Sequence, residues 1–300
     1  MFDKVIVPLD GSTTAEVALP YAEEFTGRMG TELVLLFVKE PQDYRSEYIL
    51  QCYMDNIAKI AREAATLFLA ESGVTELQVS TKILTGSPAD QIIDFAESQG
   101  DCLIIMASHG QSGVGTRWTL GSVADKVVRA VNTPVGLIRA NRDKPAVRGA
   151  IRLNRILAPV DGSKVSEASL PYVKEAARKL KAEVIFLEIL KTHFVHAPSM
   201  ELQIKDLKAA RSEVTEYLDS LVQDFQKSGI AARQEIIESW ESVSDEINRF
   251  TELNQIDLTI MATHGWSGPR RWVMGSVASN VLREGNTPIM MIRSTGPFKD

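Results

Sequence analysis

Cysteine is nearly absent: two residues in 300, Cys52 and Cys102, offer neither a disulfide framework nor a thiolate metal site. Cys52 falls in a predicted helix and Cys102 in a predicted buried strand, which suits a reducing interior. Long apolar runs are also missing. The longest strongly apolar stretch, Leu33 to Val38, is far short of the ~20 residues that span a bilayer, and the opening MFDKVIVPLD lacks a signal-peptide core. A cytoplasmic protein without a membrane partner is expected. There is no excess of basic charge, since the net charge is −6 and the isoelectric point is near 5.4. An extended nucleic-acid surface, which needs clustered Lys and Arg, is therefore not expected. Low-complexity sequence is absent too. With 44% hydrophobic and 24% charged residues and a mean hydropathy of −0.06, the chain has the composition of ordinary globular domains.

What the chain does contain is a duplication. Lys4 to Pro20 reads KVIVPLDGSTTAEVALP and Arg155 to Pro171 reads RILAPVDGSKVSEASLP; Ala107 to Val123 reads ASHGQSGVGTRWTLGSV and Ala262 to Val277 reads ATHGWSGPRRWVMGSV. Equivalent residues are 151 apart at Asp10 and Asp161, 155 at His109 and His264, and 154 at Gly121 and Gly275. Each copy is long enough to bury a core, unlike the unit of a solenoid. The division expected is a first domain over 1–142, a polar linker over 143–152 and a second domain over 153–300.

Within the first copy, Val5 to Leu9 is a short apolar run followed by Asp-Gly-Ser and by Ala15, Ala18, Leu19, Ala22 and Phe25 at helical spacing. Thr13 and Glu16 have capping-box spacing, and Gly27 and Gly30 can end that helix. Leu33 to Val38 is a second strand. Its unbroken apolar character, repeated as VIFLEIL, suits a parallel strand covered on both faces. A helix from about Glu47 to Glu71, a strand over Leu77 to Leu84, a helix over Ala89 to Glu97 and a strand over Cys102 to Met106 follow. A last helix runs to about Asn132, and Val135 to Ile138 is the fifth strand. Five strands alternating with four helices predict an α/β fold, with two doubly wound, five-stranded, Rossmann-like parallel sheets. Such sheets bind ligands beyond the strand C-termini, where Asp10 and His109-Gly110 fall.

The ordered set of apolar-Pro-apolar-Asp-Gly-Ser, Ser/Thr-His-Gly, Gly-Ser-Val and Thr-Pro-strand resembles the universal stress protein family, twice over and across nearly the whole chain. The resemblance implies an adenine nucleotide alpha hydrolase-like fold. In ATP-binding members a Gly-x2-Gly-x9-Gly-(Ser/Thr) loop holds phosphate and an Asp after the first strand lies near adenine and ribose. Carried onto this chain, these are Asp10 and Asp161, the backbone of Val38 and Ile189, Gly110 and Gly265 with His109 and His264, and Gly121-Ser122-Val123 and Gly275-Ser276-Val277. Ala107 and Ala262 replace the first glycine. The second loop keeps nine residues before its last glycine, Trp266 to Met274, whereas the first has ten, Gln111 to Leu120. The second site is accordingly expected to be the more intact. ATP, with Mg²⁺, is the implied ligand, and the implied function is that of a nucleotide-responsive stress regulator. A nucleotide-independent interaction module of the same fold and a slow ATPase are the alternatives.

Each of these residues also has a plainer reading. The aspartates could form Asx-turns or cap the next helix, and the glycines could simply supply turns. The histidines could be a general base or a hydrogen-bonding member of the loop. Arg117, Arg270 and Arg271 could meet phosphate or be solvated, and His193 with His196 lacks the further ligands of a metal site. The apolar last strands, from Pro134 and from Pro288, would be exposed edges unless paired. The resemblance implies that they pair antiparallel, making the two halves an intramolecular pseudo-dimer; a homodimer of chains stays open.

Overall fold

The computed structural model describes residues 2–110, 120–139, 151–191, 200–263 and 274–293, without the side chains of 70–72 and 200–206. The first half contains β1 (Lys4–Leu9), a 3₁₀ turn (Ala15–Ala18), α1 (Leu19–Met29), β2 (Glu32–Lys39), α2 (Glu47–Ser72), β3 (Val79–Thr85), α3 (Pro88–Ser98), β4 (Cys102–Ala107), α4 (Ser122–Ala130) and β5 (Val135–Ile138). The second repeats the order with β6 (Arg155–Pro159), a 3₁₀ turn (Ser166–Ser169), α5 (Leu170–Leu180), β7 (Glu183–Lys191), α6 (Met200–Lys227), β8 (Ala232–Ser239), α7 (Val243–Leu253), β9 (Leu258–Ala262), α8 (Ser276–Glu284) and β10 (Ile289–Ile292). The linker residues 143–150 lie outside the described residues.

The strands form one ten-stranded sheet in the order β3-β2-β1-β4-β5-β10-β9-β6-β7-β8. All pairs are parallel except β5 with β10, which run antiparallel with Met290 opposite Gly136. The halves are therefore related as a pseudo-dimer, and the two expected five-stranded sheets are continuous with one another. Both central strands are buried throughout. The outer strands β3 and β8 are only half-buried and carry Lys82, Arg233 and Glu235, charges that discourage edge-to-edge association.

Each face of the sheet carries an apolar layer that runs through both halves. One layer includes Phe25, Leu35, Met54, Phe186 and Phe225 beneath α1, α2, α5 and α6. The other includes Ile104, Met106, Val127, Met261 and Val281 beneath α3, α4, α7 and α8. Gly30 ends α1 in the left-handed region at φ 72°, as expected. Gly27 does not end it. It lies inside α1, where a Cβ would stand 2.8 Å from Phe68 Cβ and 2.9 Å from the Ala65 carbonyl oxygen. Its role is the close crossing of α1 on α2.

Polar contacts tie the halves reciprocally. Arg139, just after β5, donates to the Leu282 carbonyl at 3.1 Å and to that of Arg283 at the end of α8. Arg293, just after β10, donates to the carbonyls of Arg129, Ala130 and Val131 at 3.4, 3.0 and 3.2 Å, at the end of α4. Each half thus caps the negative end of the other half's last helix. On the opposite face, buried Glu24 accepts from the Leu153 N–H at 2.8 Å, and buried Arg28 donates to the Leu180 carbonyl.

Candidate functional site

In each half the first strand has the second strand on one side and the fourth on the other, so its C-terminal end lies at a topological switch point. A cavity of about 570 Å³ opens there in the first half, lined by Asp10, Val38, Ala107, His109, Gly110, Gly121, Ser122 and Val123 among others. Its counterpart in the second half measures about 290 Å³ and is lined by Asp161, Ile189, Ala262, Gly275, Ser276 and Val277. The structure thus gathers the sequence-derived candidates around two equivalent openings, except His264 and Gly265, which lie outside the described residues. Arg117, Arg270, Arg271, His193 and His196 also lie outside them, as does the stretch in which the two loops differ in length.

The turn after β1 is built by Asp-Gly-Ser. Asp10 Oδ1 accepts from the Ser12 N–H at 2.9 Å and from Ser12 Oγ at 2.6 Å, and Ser12 Oγ accepts from the Ala15 N–H at 3.1 Å. Gly11, at φ +84°, supplies the left-handed residue the turn requires. The capping box expected from Thr13 and Glu16 does not form, because Ser12 occupies the capping role and Glu16 instead accepts from the Tyr53 hydroxyl at 2.9 Å. Asp161, Ser163 and Ser166 repeat the arrangement, with Oδ1 of Asp161 2.6 Å from Ser163 Oγ. One carboxylate oxygen of each aspartate therefore serves the Asx-turn. The other oxygen of Asp10 faces Gly110, where a Cβ would approach within 2.5 Å of it.

Facing the aspartate is the start of the last helix. The Ser108 N–H donates to the Ile138 carbonyl at 2.8 Å, the Gly121 N–H to the Ser108 carbonyl at 2.9 Å, and the Asp125 N–H to the Gly121 carbonyl at 2.8 Å. Thr263, Gly275 and Ser279 make the same three bonds at 2.8, 2.8 and 2.9 Å. The helix is thereby fixed to the fifth strand, and its N-cap residue is a glycine with no side chain to offer, in both halves. Among the described residues no side chain caps the first N–H groups of either helix, those of Ser122, Val123 and Ala124 and their counterparts. A Cβ on Gly121 would lie 3.0 Å from the Ser108 carbonyl oxygen and 3.3 Å from His109 Cα. His109 Nδ1 lies 3.0 Å from Ser108 Oγ, which orients the ring along the loop.

Several lining residues carry no sequence motif. Arg45, from the loop before α2, lies over the Phe37 ring at 5.1 Å and donates to the Asp10 carbonyl at 3.4 Å. Its guanidinium also holds the Asp43 carboxyl down at about 2. In the second half Glu188, Val243 and Ile247 line the cavity. Glu188 alone had a sequence signal, as the one charge inside the apolar run VIFLEIL. Among the described residues no group of three His, Cys, Asp or Glu side chains could hold a metal ion, and no helix is long and apolar enough to cross a membrane.

Universal stress protein Slr1230 of Synechocystis is 22% identical over 315 residues, covering 96% of this chain and 99% of that protein. Universal stress protein YxiE of Bacillus subtilis is 30% identical over 152 residues, 46% of this chain and all of that protein. A universal stress protein from Archaeoglobus fulgidus shares the fold over 97% of this chain and 96% of its own, with a TM-score of 0.62 at 18% identity. The sequence pattern of the universal stress protein family matches twice, over residues 1–139 and 152–293. With one such unit in each half, the chain belongs to the universal stress protein family.

Proposed function

We propose that each half binds an adenine nucleotide, ATP in the first instance, and that the chain acts as a nucleotide-responsive stress regulator. The observation that carries the reading is the doubled cradle: a glycine-capped helix start, anchored through Ser108 or Thr263 to the last strand, opposite the aspartate turn. The N–H groups of Ser122 to Ala124 and of Ser276 to Ala278 would take phosphate, aided by the helix dipole. Gly110 and Gly121 pack so closely on Asp10 and on the Ser108–His109 backbone that a side chain at either would displace the cradle. Asp10 and Asp161 would meet the ribose or base, and the ends of β2 and β7 at Val38 and Ile189 would border the adenine. Gly265 and His264 would complete the second loop. A Mg²⁺ ion would arrive with the phosphates and be held chiefly by them. The first cavity, at about 570 Å³, is of the size that small-molecule sites occupy.

The binding units in this reading are residues 1–142 and 153–300, joined by 143–152, with the β5–β10 ladder holding them as a pseudo-dimer. A cytoplasmic location, and further pairing of whole chains, belong to the same proposal. The test is the nucleotide content of the purified chain after denaturation, with an ATP titration if it emerges empty. About two ATP per chain supports both cradles, one supports a single working half, and none after titration makes this an interaction module instead.

A further inference from the structure

Part of the first cavity wall comes from a segment that carries no motif. Residues 40–46 lead from β2 into α2, and Glu40, Gln42, Asp43 and Arg45 line the cavity beside Asp10 and Phe37. Arg45 is pinned there in one orientation. Its Nε donates to both Asp43 oxygens at 2.9 Å and its Nη2 to Asp43 Oδ2 at 2.6 Å, the fork of an arginine and carboxylate pair. The Arg45 backbone N–H donates to the same carboxylate at 3.0 Å, so both ends of the residue are tied to one aspartate. Nη1 reaches the Asp10 carbonyl at 3.4 Å. The guanidinium carbon stands over the Phe37 ring, 5.1 Å from its centroid. Phe37 is backed in turn by Tyr53, edge-on at 6.4 Å between centroids, and the Tyr53 hydroxyl donates to Glu16 at 2.9 Å.

Each guanidinium nitrogen thus donates along the plane of the group, and Phe37 covers it from one side. The side chain keeps 39% of its surface exposed and lines the cavity, so what it offers a ligand is the remaining flat face. A phosphate suits that position poorly. Asp43 already neutralises the arginine, and Glu40 and Asp10 add two carboxylates to the same wall, so a further anion would meet three negative charges and one positive. A planar base meets no such penalty, and a guanidinium plane stacks on one.

Building on the nucleotide reading above, we infer that Arg45 is the platform on which the base of the first site's nucleotide stacks, setting affinity for the base and taking no part in holding phosphate. The corresponding stretch of the second half, THFVHAPS over 192–199, contains no arginine at which the same platform could form.

The experiment uses the full chain with Gly275→Val closing the second site, and titrates it with ATP, adenosine and inorganic tripolyphosphate. Arg45→Ala is expected to weaken ATP and adenosine about tenfold, the order of a stacking contact with one base, and to leave tripolyphosphate unchanged. Arg45→Lys keeps the charge without the plane and should lose as much as alanine does. Asp43→Asn removes the ion pair but leaves an amide oxygen to hold the guanidinium, and should cost less than either. Unchanged ATP affinity with Arg45→Ala overturns the inference, as does full affinity with Arg45→Lys. A parallel loss of tripolyphosphate overturns it too, since Arg45 would then hold phosphate or prop the whole site. A loss with Asp43→Asn as large as with Arg45→Ala would mean that the pair only shapes the loop, and the inference falls. If the Gly275→Val chain binds no ATP while the Gly121→Val chain does, the inference falls and the nucleotide reading of the second half stands. Failure of the native chain to bind overturns both.

Discussion

Replacing Gly121 by valine tests the cradle most directly. The Cβ would stand 3.0 Å from the Ser108 carbonyl oxygen and 3.3 Å from His109 Cα, both backbone atoms that cannot rotate aside. The branched carbons add to the collision, so either α4 or the 108–110 segment must shift. Such overpacking costs about 1–3 kcal/mol of stability. The larger effect falls on binding, because a phosphate group held by several N–H donors tolerates little displacement. ATP at 100 times its Kd stabilises the folded chain by about 2.7 kcal/mol per site. At roughly 2 °C per kcal/mol for a chain of this size, that is about 5 °C per site, and about 10 °C for two. In a thermal melt with and without saturating ATP, Gly121→Val should lose about half of the shift. Gly275→Val should lose the rest, and the double variant all of it. A folded double variant that keeps the full ATP shift would refute the cradle and move the site elsewhere.

Glu188 also makes stability pH-dependent. With a folded value near 7 against an unfolded 4.5, its stabilising share is fully present below pH 4.5 and is lost as pH rises to 7. At face value this is about 3 kcal/mol, and partial exposure reduces it to about 1–2 kcal/mol. Glu188→Gln should therefore raise the melting temperature at pH 8 and leave it unchanged at pH 4; an equal gain at both would discredit the linkage. Arg293→Ala removes a cation shared by three carbonyls of the opposite half and should cost about 1–2 kcal/mol in denaturant unfolding. An unaltered midpoint would mean that the cap is solvated without loss. Gly27→Ala gains helix propensity of about 0.5–1 kcal/mol but must part α1 from α2. A net loss of about 1–2 kcal/mol is expected, and a more stable variant would show that this crossing is loosely packed.

Much of the fold was legible because parallel strands covered on both faces read as unbroken apolar runs. LVLLFV and VIFLEIL became β2 and β7, and the five strands of the first half fall near their expected positions. The site was legible where backbone geometry restricts residue type. Asp10-Gly11-Ser12 and Gly121-Ser122 are such places, since a left-handed turn and a side-chain-free cap admit few residues. Local signals failed where two candidates competed for one role. Thr13 and Glu16 had capping spacing, but Ser12 was already held by Asp10 and won the cap. Gly27 resembled a helix end because a glycine needed for close packing looks the same in sequence as one needed for termination.

The sequence by itself determined the duplication, the alternation of strand and helix, the family and the paired positions of the two cradles, because these depend on patterns along the chain. Only the tertiary structure decided what converges across it. The exchanged caps of Arg139 and Arg293 join residues more than a hundred positions apart, and Arg45 folds back from the loop after β2 to cover Phe37. Those contacts follow from the antiparallel meeting of β5 with β10 and from the path of the loop after β2, which no local pattern of apolar and polar residues encodes.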